Sequence, residues 1–262
     1  MTIVSFAIQK GGTGKTTSAV MMSALLARKK REVLLIDMDP QASATECLVD
    51  PSQIQENPCI GDVLLHRKDA KMRNAIRRCD YLKTLSFVPS KPAMLIDEYW
   101  GSYSNIFPDT LKIELTSVEK DYDYIILDCP PNLLHFTKNA LWASEYVINT
   151  LEPEPLAYEG LNQFIVSILP DVKLHNQKLR PGGAILINRA PATRVYLPEE
   201  IKSRILNNPQ MGQGFLFRTE VHLDQDLAKM PFHRKPASEY SSSRGVSDYA
   251  ALTVEFESKI PP

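Results

Sequence analysis

A glycine-rich segment near the start of the chain combines the residue types that bind phosphate. The sequence KGGTGKTT occupies residues 10–17, between an apolar run and a stretch whose apolar residues have helical spacing. Glycines let several backbone N–H groups converge on one anion, because no Cβ blocks a close approach or a positive φ. The helix that follows presents its N-terminus to the same anion. Lys15 offers an ammonium group to the β- and γ-phosphates of a nucleotide, and the Thr16 hydroxyl suits Mg²⁺.

The loop departs from the common G-x-x-x-x-G-K-T pattern at its first position, which is Gln9. Lys10 follows at once and adds a second positive charge at the loop entrance. We expect Lys10 to lie beside the phosphates or to reach toward the nucleotide of a neighbouring molecule. A lysine that is simply exposed is the alternative.

Two aspartates each follow a buried apolar run. Asp39 and Asp128 are therefore expected at the carboxyl edge of a sheet, beside the phosphate loop. Mg²⁺ prefers oxygen ligands and keeps several waters beside one or two carboxylates. A single aspartate after a strand is more often a turn former or a helix cap, but two behind one phosphate loop favour a Mg²⁺ site. For Asp37 we expect a structural hydrogen-bonding role.

Strands and helices alternate along the chain in the order that builds a parallel sheet. The pattern predicts strands at residues 2–8, 32–36, 85–88, 124–127, 146–150 and 184–187. It predicts helices at residues 16–28, 132–144, 160–169, 198–206 and 247–258. No linker or internal repeat divides residues 1–262, so we expect a single α/β domain. Its predicted fold is an open, doubly wound, mostly parallel sheet with ligands at the carboxyl ends of the strands.

The composition argues against several classes of protein. Of the 262 residues, 44% are apolar, which is enough for a sizeable core. The 30 Lys and Arg residues are balanced by 31 Asp and Glu residues, so the overall charge does not favour binding to nucleic acid. A local basic patch is still compatible with this balance. We find neither an apolar run of about 18 residues, as a membrane span needs, nor a signal peptide. Four widely spaced cysteines disfavour a metal cluster or a disulfide framework and indicate the cytoplasm.

Several motifs, in order, resemble those of the ParA/MinD group of P-loop NTPases. Residues 10–17 resemble the deviant Walker A box, and DMDPQ at residues 37–41 resembles the D-x-D-P-Q motif. IILDCPP at residues 125–131 resembles a Walker B strand that ends in D-x-P-P. KP at residues 235–236 and SRG at residues 243–245 are similar to the ParA tail. The resemblance spans nearly the whole chain and is closest to the short, Soj-like ParA partition ATPases, which lack an N-terminal helix-turn-helix domain.

The resemblance implies an enzyme that hydrolyses ATP to ADP and phosphate, with Mg²⁺ as cofactor. It implies a homodimer that sandwiches two nucleotides, in which Lys10 of the opposite subunit reaches the phosphates. Hydrolysis is then slow until a partner orders the site. The implied catalytic residues are Lys10, Lys15 and Asp39, and the implied metal-binding residues are Thr16, Asp39 and Asp128. The implied nucleotide-binding residues are Lys10, Gly11, Gly12, Thr13, Gly14, Lys15, Thr16, Thr17 and Asn188.

Asn188 follows the predicted strand at residues 184–187 and is similar to the residue that reads the adenine edge in this family. Its amide donates and accepts at once, which suits a purine rim. The guanine-selecting N-K-x-D motif is absent, because Asn188 is followed by R-A-P, and ATP is therefore favoured over GTP. A plain turn residue at the strand end is the alternative.

The possible uses of this scaffold need different additional features. A MinD-like membrane ATPase carries a C-terminal amphipathic helix, whereas this chain ends in the sequence TVEFESKIPP, a poor membrane anchor. A cluster-carrying ATPase needs paired cysteines, and a P-loop kinase needs an acceptor pocket and an arginine-rich lid; we locate none of these. We therefore expect a ParA-type ATPase that binds nonspecific DNA as the ATP dimer, in the cytoplasm and on the nucleoid. A small ParB-like or cargo-adaptor protein is expected to stimulate ATP hydrolysis and thereby to release the ATPase from DNA.

Clustered basic residues are the candidate DNA contacts, although such runs are usually solvated surfaces. They are Arg67, Lys68, Lys71, Arg73, Arg77, Arg78, Arg189, Arg194, Lys202, Arg204, Arg218, Arg234, Lys235 and Arg244. Chromosomal ParA proteins tend to carry arginines where this chain has Leu223 and Asp226. Positioning of another cargo, such as a carboxysome, a chemotaxis array or a conjugation complex, is therefore the alternative.

Overall fold

The computed structural model describes residues 1–67, 70–94, 101, 106–189 and 198–262. The strands of this part are β1 Thr2–Phe6, β2 Val33–Asp37, β3 Arg77–Arg78, β4 Leu85–Val88, β5 Tyr124–Asp128, β6 Tyr146–Leu151, β7 Arg180–Arg189 and β8 Val221–Leu223. They form one sheet in the order β3-β4-β2-β5-β1-β6-β7-β8. β3 pairs with β4 antiparallel, and the other neighbours pair in parallel. The predicted mostly parallel α/β sheet is confirmed.

Helices connect the strands and cover the sheet. They are α1 Lys15–Arg28, α2 Ser43–Glu46, α3 Ile60–Leu64, α4 Met72–Ala75, α5 Thr110–Leu115, α6 His135–Ala143, α7 Pro155–Gln163, α8 Leu169–His175, α9 Pro198–Leu206, α10 Gln225–Ala228, α11 Met230–His233 and α12 Arg244–Lys259. Within the described ranges, none of them has the length and apolar character needed to cross a membrane.

The central strands are buried on both faces, because their alternate side chains enter two different apolar clusters. Val4 and Phe6 of β1 belong to the cluster that includes residues of α1 and α12. Ile3 belongs to the opposite cluster, with residues of α5, α6, α7 and α8. Helices on both faces are what a doubly wound sheet requires. The phosphate loop therefore starts from a strand that is held rigidly in the middle of the molecule.

The predicted strands lie close to the observed ones, with two omissions. The strand predicted at residues 184–187 is longer at both ends, since β7 spans Arg180–Arg189. β3 and β8 were not predicted, because strands of only two and three residues cannot display an alternating pattern. The last helix begins earlier than predicted, at Arg244, because Ser243 caps its N-terminus.

The helix predicted at residues 160–169 is wrong in its bounds. α7 already begins at Pro155, and a π-helical turn at Phe164–Ile168 joins it to α8. Proline is favoured in the first turn of a helix, where its missing N–H is not needed, so Pro155 was the start signal. Pro170 cannot donate to the turn before it, and the wider π-helical turn lies directly ahead of it.

Candidate functional site

The register of the central strands brings two carboxylates to the start of the phosphate loop. Phe6, the last residue of β1, pairs with Asp128 of β5, and Asp37 of β2 pairs with the same Asp128. The loop at residues 7–14 follows β1 directly, beside both strand ends. This edge is where ligands bind in doubly wound sheets. Asp128 therefore lies at this edge, as the sequence predicted, and Asp39, two residues after the end of β2, lines the same cavity as the loop residues.

Two glycines give the loop its shape. Gly12 has φ +73° and Gly14 has φ +86°, a region that side chains with a Cβ rarely adopt. Gly14 also caps the N-terminus of α1, where the first backbone N–H groups have no partner within the helix. The Thr13 hydroxyl lies 3.0 Å from the Thr150 hydroxyl of β6 and ties the loop to the sheet. The loop has the form of an anion-binding site.

Lys15 is the first residue of α1 and is buried, with only 6% of its surface exposed. Its Nζ donates a hydrogen bond to the carbonyl oxygen of Lys10 at 2.9 Å. Burial lowers the pKa of Lys15, while the nearby Asp128 carboxylate opposes this shift. A buried ammonium whose hydrogen-bond partner is a neutral carbonyl gains much from a phosphate placed beside it.

Asp128 is fully buried at the end of β5, and neither carboxylate oxygen has a hydrogen-bond partner of proper geometry. Burial raises its pKa well above the ordinary value, and the neighbouring Asp37 raises it further. The Thr16 side chain lies close enough to the Asp128 carboxylate to oppose this rise in pKa, although the two groups do not reach hydrogen-bonding geometry. A buried carboxylate without a partner is costly, and a cation removes that cost.

Asp37 and Asp39 differ in their partners. One Asp37 oxygen accepts hydrogen bonds from the backbone N–H and the hydroxyl of Thr45, at 2.8 and 2.7 Å. The other accepts the Asp39 N–H at 3.1 Å, so Asp37 makes the structural hydrogen bonds that the sequence analysis expected. Burial raises the pKa of Asp37 to about 7. Asp39 is half-buried, and its side chain accepts only the Gln41 N–H among the described residues, at 2.9 Å.

The carboxylates of Asp37, Asp39 and Asp128 suit Mg²⁺ that is bound together with a nucleotide better than they suit a metal ion whose ligands all come from the protein. In the described part of the chain, no three His, Cys, Asp or Glu side chains are arranged to hold a metal ion. Mg²⁺ does not need such a group, because it usually binds one or two carboxylates, several waters and the phosphates of its nucleotide. The two Asp128 oxygens without partners are the atoms that a cation and its waters would satisfy.

A cavity of about 360 Å³ opens beside the loop. Its lining includes most of the predicted residues, namely Gly11, Gly12, Thr13, Gly14, Lys15, Thr16, Thr17 and Asp39. It also includes residues not assigned to this site from the sequence, namely Gln41, Ser43, Cys47, Pro131, Arg189, Leu227, Ala228, Met230 and Pro231. Gln41 and Pro131 lie within the motifs at residues 37–41 and 125–131, so the sequence alone could have placed them at this site. The segment at residues 227–231 is distant in the chain, and only the fold brings it here.

Comparison with known proteins gives a consistent result. The family model described as "AAA domain" matches residues 1–180. The sporulation initiation inhibitor protein Soj of Bacillus subtilis (strain 168) is 31% identical over 262 residues, which cover 97% of each chain. The chain belongs to the ParA/Soj family of P-loop ATPases. A second member, the chromosome partitioning protein ParA of Myxococcus xanthus (strain DK1622), is 30% identical over 99% of this chain and 89% of its own length.

A solved structure adds evidence on ligands in a relative of this ParA/Soj protein. Cobyrinic acid a,c-diamide synthase from Mycobacterium smegmatis, with bound ADP and magnesium, matches with a TM-score of 0.73 and 26% identity. The match covers 97% of this chain and 93% of the synthase chain. The synthase and the present ParA/Soj-family chain therefore share their fold.

Lys10 of this ParA/Soj-family protein is held by an ion pair outside the cavity lining. Its Nζ lies 3.0 Å from a carboxylate oxygen of Glu154, which precedes α7. Arg189, the last residue of β7, pairs with Glu152 and also donates to the carbonyl oxygen of Gly12. Arg189 was a candidate DNA contact, but it lies at the phosphate loop.

Asn188 is buried and lies at the carboxyl end of β7, as predicted, but it is not among the described residues that line the cavity. Its Nδ2 donates to Glu220 at 2.7 Å and lies 3.3 Å from the Nε2 of His222. His222 in turn bonds the Asp248 carboxylate through Nδ1 at 2.8 Å. A contact between Asn188 and adenine stays a prediction.

Many of the candidate DNA contacts are engaged within the chain. The ion pairs are Lys71 with Glu114, Arg73 with Asp121, Lys202 with Glu199 and Glu220, and Arg204 with Glu200 and Glu159. Hydrogen bonds to backbone carbonyls or to His222 hold Arg77, Arg234 and Arg244, and Arg67 also has a partner. Lys68 and Arg194 lie outside the described residues. Within the described ranges, the side chains of Arg78, Arg218 and Lys235 have no carboxylate partner, although the Arg218 backbone N–H donates to Glu255 and Lys235 Nζ lies over the Tyr81 ring.

Proposed function

We propose that this protein binds Mg²⁺-ATP in the cavity beside the phosphate loop and hydrolyses it to ADP and phosphate. The observation that carries the proposal is the pair of buried charged groups at the loop. Lys15 has a neutral carbonyl as its partner, and Asp128 has no hydrogen-bond partner. Burying either group in this state is costly. A magnesium triphosphate supplies an opposite charge to each of them.

In this proposal the loop N–H groups and Lys15 bind the phosphates, and Thr16 and Asp128 hold Mg²⁺. Asp39, at the cavity wall, orients the attacking water or a water of the metal. Bound magnesium neutralises charge on the phosphates and fixes their position. Catalysis then consists of positioning and charge neutralisation.

We also propose that ATP controls the association of two copies of the chain. Lys10 would leave Glu154 and reach the nucleotide of the second copy. Their ion pair is partly exposed, with 34% and 19% of the two side chains accessible, so breaking it costs little. Leu134 and Leu156, which follow β5 and β6 at the same edge, are 49% and 79% exposed and offer apolar surface to the second copy.

We infer that the ATP dimer binds nonspecific DNA and that a small ParB-like or cargo-adaptor protein releases it by stimulating hydrolysis. Support comes from the relatives, one of which is named a chromosome partitioning protein. Positioning of a non-DNA cargo is the second candidate. It is favoured by Asp226, which stands where chromosomal ParA proteins tend to have arginine, and which accepts hydrogen bonds from Ser241 and Lys229.

The test is the mass of the protein in solution, measured by light scattering with and without Mg²⁺-ATP, together with phosphate release. The wild type should dimerise only with ATP and release phosphate slowly. Lys15→Gln should bind no nucleotide and stay monomeric, since the cation between the phosphates is lost. Asp39→Ala should dimerise but turn over poorly. Tight ATP binding by Lys15→Gln, or a wild type that stays monomeric, would contradict the proposal.

A further inference from the structure

A second cavity, of about 540 Å³, lies beside β3, the strand at one end of the sheet. The loop after α2, β3 itself and the segment that follows α11 form most of its wall. As far as the structure describes the chain, it shares no lining residue with the cavity beside the phosphate loop. Its volume lies in the range of small-molecule sites. The two cavities are therefore separate candidate sites.

The wall of this second cavity carries an excess of positive charge, although the whole chain has a formal net charge of -1. The charged residues of the described lining are Arg77, Arg78, Arg234 and Lys235 against Asp50 and Asp80. Four cations and two carboxylates leave an excess of two positive charges, with His233 counted as neutral. Asp50 directs one of its oxygens to the N–H and the hydroxyl of Ser52, at 2.9 and 2.7 Å. The wall therefore attracts anions.

The partners of these cations in the described ranges are neutral groups. Arg77 Nη1 donates to two backbone carbonyl oxygens, and Arg234 Nη1 donates to another. Lys235 Nζ lies 5.6 Å from the centre of the Tyr81 ring. The Nε of Arg77 is buried without an acceptor, and burial lowers the pKa of this guanidinium. A negative charge in the cavity would stabilise its charged form.

Apolar side chains form another part of the same wall. Leu48, Ile54 and Phe87 are buried and Val49 is half-buried, so the cavity offers apolar surface to a bound molecule. Duplex DNA binds cations at a surface through its phosphates and does not need an apolar pocket. The combination favours a small organic anion in which an apolar group lies next to the charge.

We propose that this cavity binds a phosphate monoester that carries a small apolar group. The phosphate contacts Arg77 and Arg78, and the apolar group contacts Leu48, Val49 and Ile54. A phosphate monoester carries close to two negative charges at pH 7, which matches the excess in the wall, whereas a carboxylate carries only one. The planar guanidinium also offers paired N–H donors that match phosphate. The site goes beyond the ATPase function and needs no nucleotide in the other cavity.

Ligand-observed NMR titration at constant ionic strength tests the site, with phenyl phosphate, inorganic phosphate and benzoate as probes. The titration uses Lys15→Gln, so that the phosphate loop does not compete for the probes. Phenyl phosphate should bind with a Kd on the order of 1 mM. The other two probes should bind at least about fivefold more weakly, because inorganic phosphate lacks the apolar group and benzoate lacks the second charge.

Three substitutions in the same background locate the site. Arg78→Gln should weaken phenyl phosphate binding roughly 5- to 10-fold, because an exposed cation that contacts the phosphate is lost. Val49→Ser should weaken phenyl phosphate binding about threefold and leave inorganic phosphate binding unchanged, because only the apolar contact is lost. Arg204→Gln is the control, since Arg204 pairs with Glu200 and Glu159 and does not line the cavity, and it should change neither.

Phenyl phosphate that binds no more tightly than inorganic phosphate would indicate a bare cationic surface and overturn the inference. Binding that is present in the wild type and absent in Lys15→Gln would place the probe at the phosphate loop, which overturns this inference and supports the proposed function. In the otherwise wild-type chain with AMPPNP, Arg78→Gln should leave the salt dependence of DNA binding unchanged. A slope of log K against log salt concentration that falls by about one would assign Arg78 to a DNA surface instead.

Discussion

At the scale of single residues, Asp128 shows a conflict between stability and ligand binding. Its carboxylate is fully buried and lacks hydrogen-bond partners, and Asp37 lies beside it in the sheet register. Burial raises the pKa of Asp128 well above its ordinary value. The folded state therefore binds the proton more tightly than the unfolded state does. Above the ordinary pKa of 3.8, this difference costs stability that increases with pH.

We predict that Asp128→Asn stabilises the nucleotide-free protein and removes its response to magnesium. The free energy of unfolding at pH 8 should rise by about 1–2 kcal/mol, because the buried charge is lost while the shape is kept. The gain should shrink as the pH falls and vanish below the ordinary pKa of the carboxyl. Urea unfolding between pH 4 and 8, with and without Mg²⁺-AMPPNP, measures both effects. A variant that is less stable at pH 8, or one that the nucleotide still stabilises fully, would show that Asp128 has another role.

At the scale of elements, the start of α12 is fitted closely against the segment that follows β8. Asp224 accepts the N–H groups of Asp226 and Leu227 at the start of α10, and the Gly245 N–H at the start of α12. A Cβ on Gly245 would lie 2.5 Å from the carbonyl oxygen of His222 and 2.4 Å from Leu227. Only glycine permits this approach. The same contact positions Leu227 in the wall of the cavity beside the phosphate loop.

We predict that Gly245→Ala destabilises the protein by about 1–3 kcal/mol, since the added methyl group meets a backbone carbonyl that cannot turn away. Gly160→Ala is the matched control. Gly160 lies within α7 and has open space where a Cβ would stand, so alanine should stabilise the helix by about 0.5–1 kcal/mol. Thermal unfolding of both variants, monitored by circular dichroism, shows whether each substitution lowers or raises the stability of the protein. Equal shifts in one direction would contradict the packing described for Gly245.

At the scale of the whole molecule, the distribution of paired charges limits how DNA could bind. Positive and negative residues nearly balance over the chain, and many of the clustered cations have a partner in the protein. Nonspecific DNA binding draws its free energy from counterions released by cations that contact phosphates. A cation that already neutralises a carboxylate contributes less. Arg218 and Lys235, whose exposed side chains have no carboxylate partner among the described residues, are the better candidates.

We predict that DNA binding in the presence of AMPPNP weakens steeply with salt. Arg218→Gln and Lys235→Gln should each lower the slope of log K against log salt concentration by about one. Lys71→Gln should lower the slope less than either of these, because Lys71 pairs with the buried Glu114 at 3.4 Å. Fluorescence anisotropy with a labelled random-sequence duplex over a salt series gives the slopes. Retention that does not depend on salt, or no retention in any nucleotide state, would favour a cargo other than DNA.

Much of the fold was predictable because its signals are local. The buried strands β2, β4 and β5 appear as short apolar runs in the sequence, and α1 appears through its helical spacing. β3 and β8 were missed because they form only by pairing with a neighbouring strand that supplies their hydrogen bonds. The predicted bounds of α7 were wrong because the proline start signal at Pro155 was overlooked.

The sequence by itself determined the phosphate loop at residues 10–17 and the presence of Asp37, Asp39 and Asp128 at strand ends, because those features depend on residue type and near neighbours. Only the tertiary structure decided the partners of the cations. Glu154 holds Lys10 from 144 positions away, and Arg189 reaches Gly12 across 177. No local spacing encodes such pairs, since they exist only once β6 lies beside β1 and β7 beside β6, which brings the carboxyl ends of the three strands to one edge.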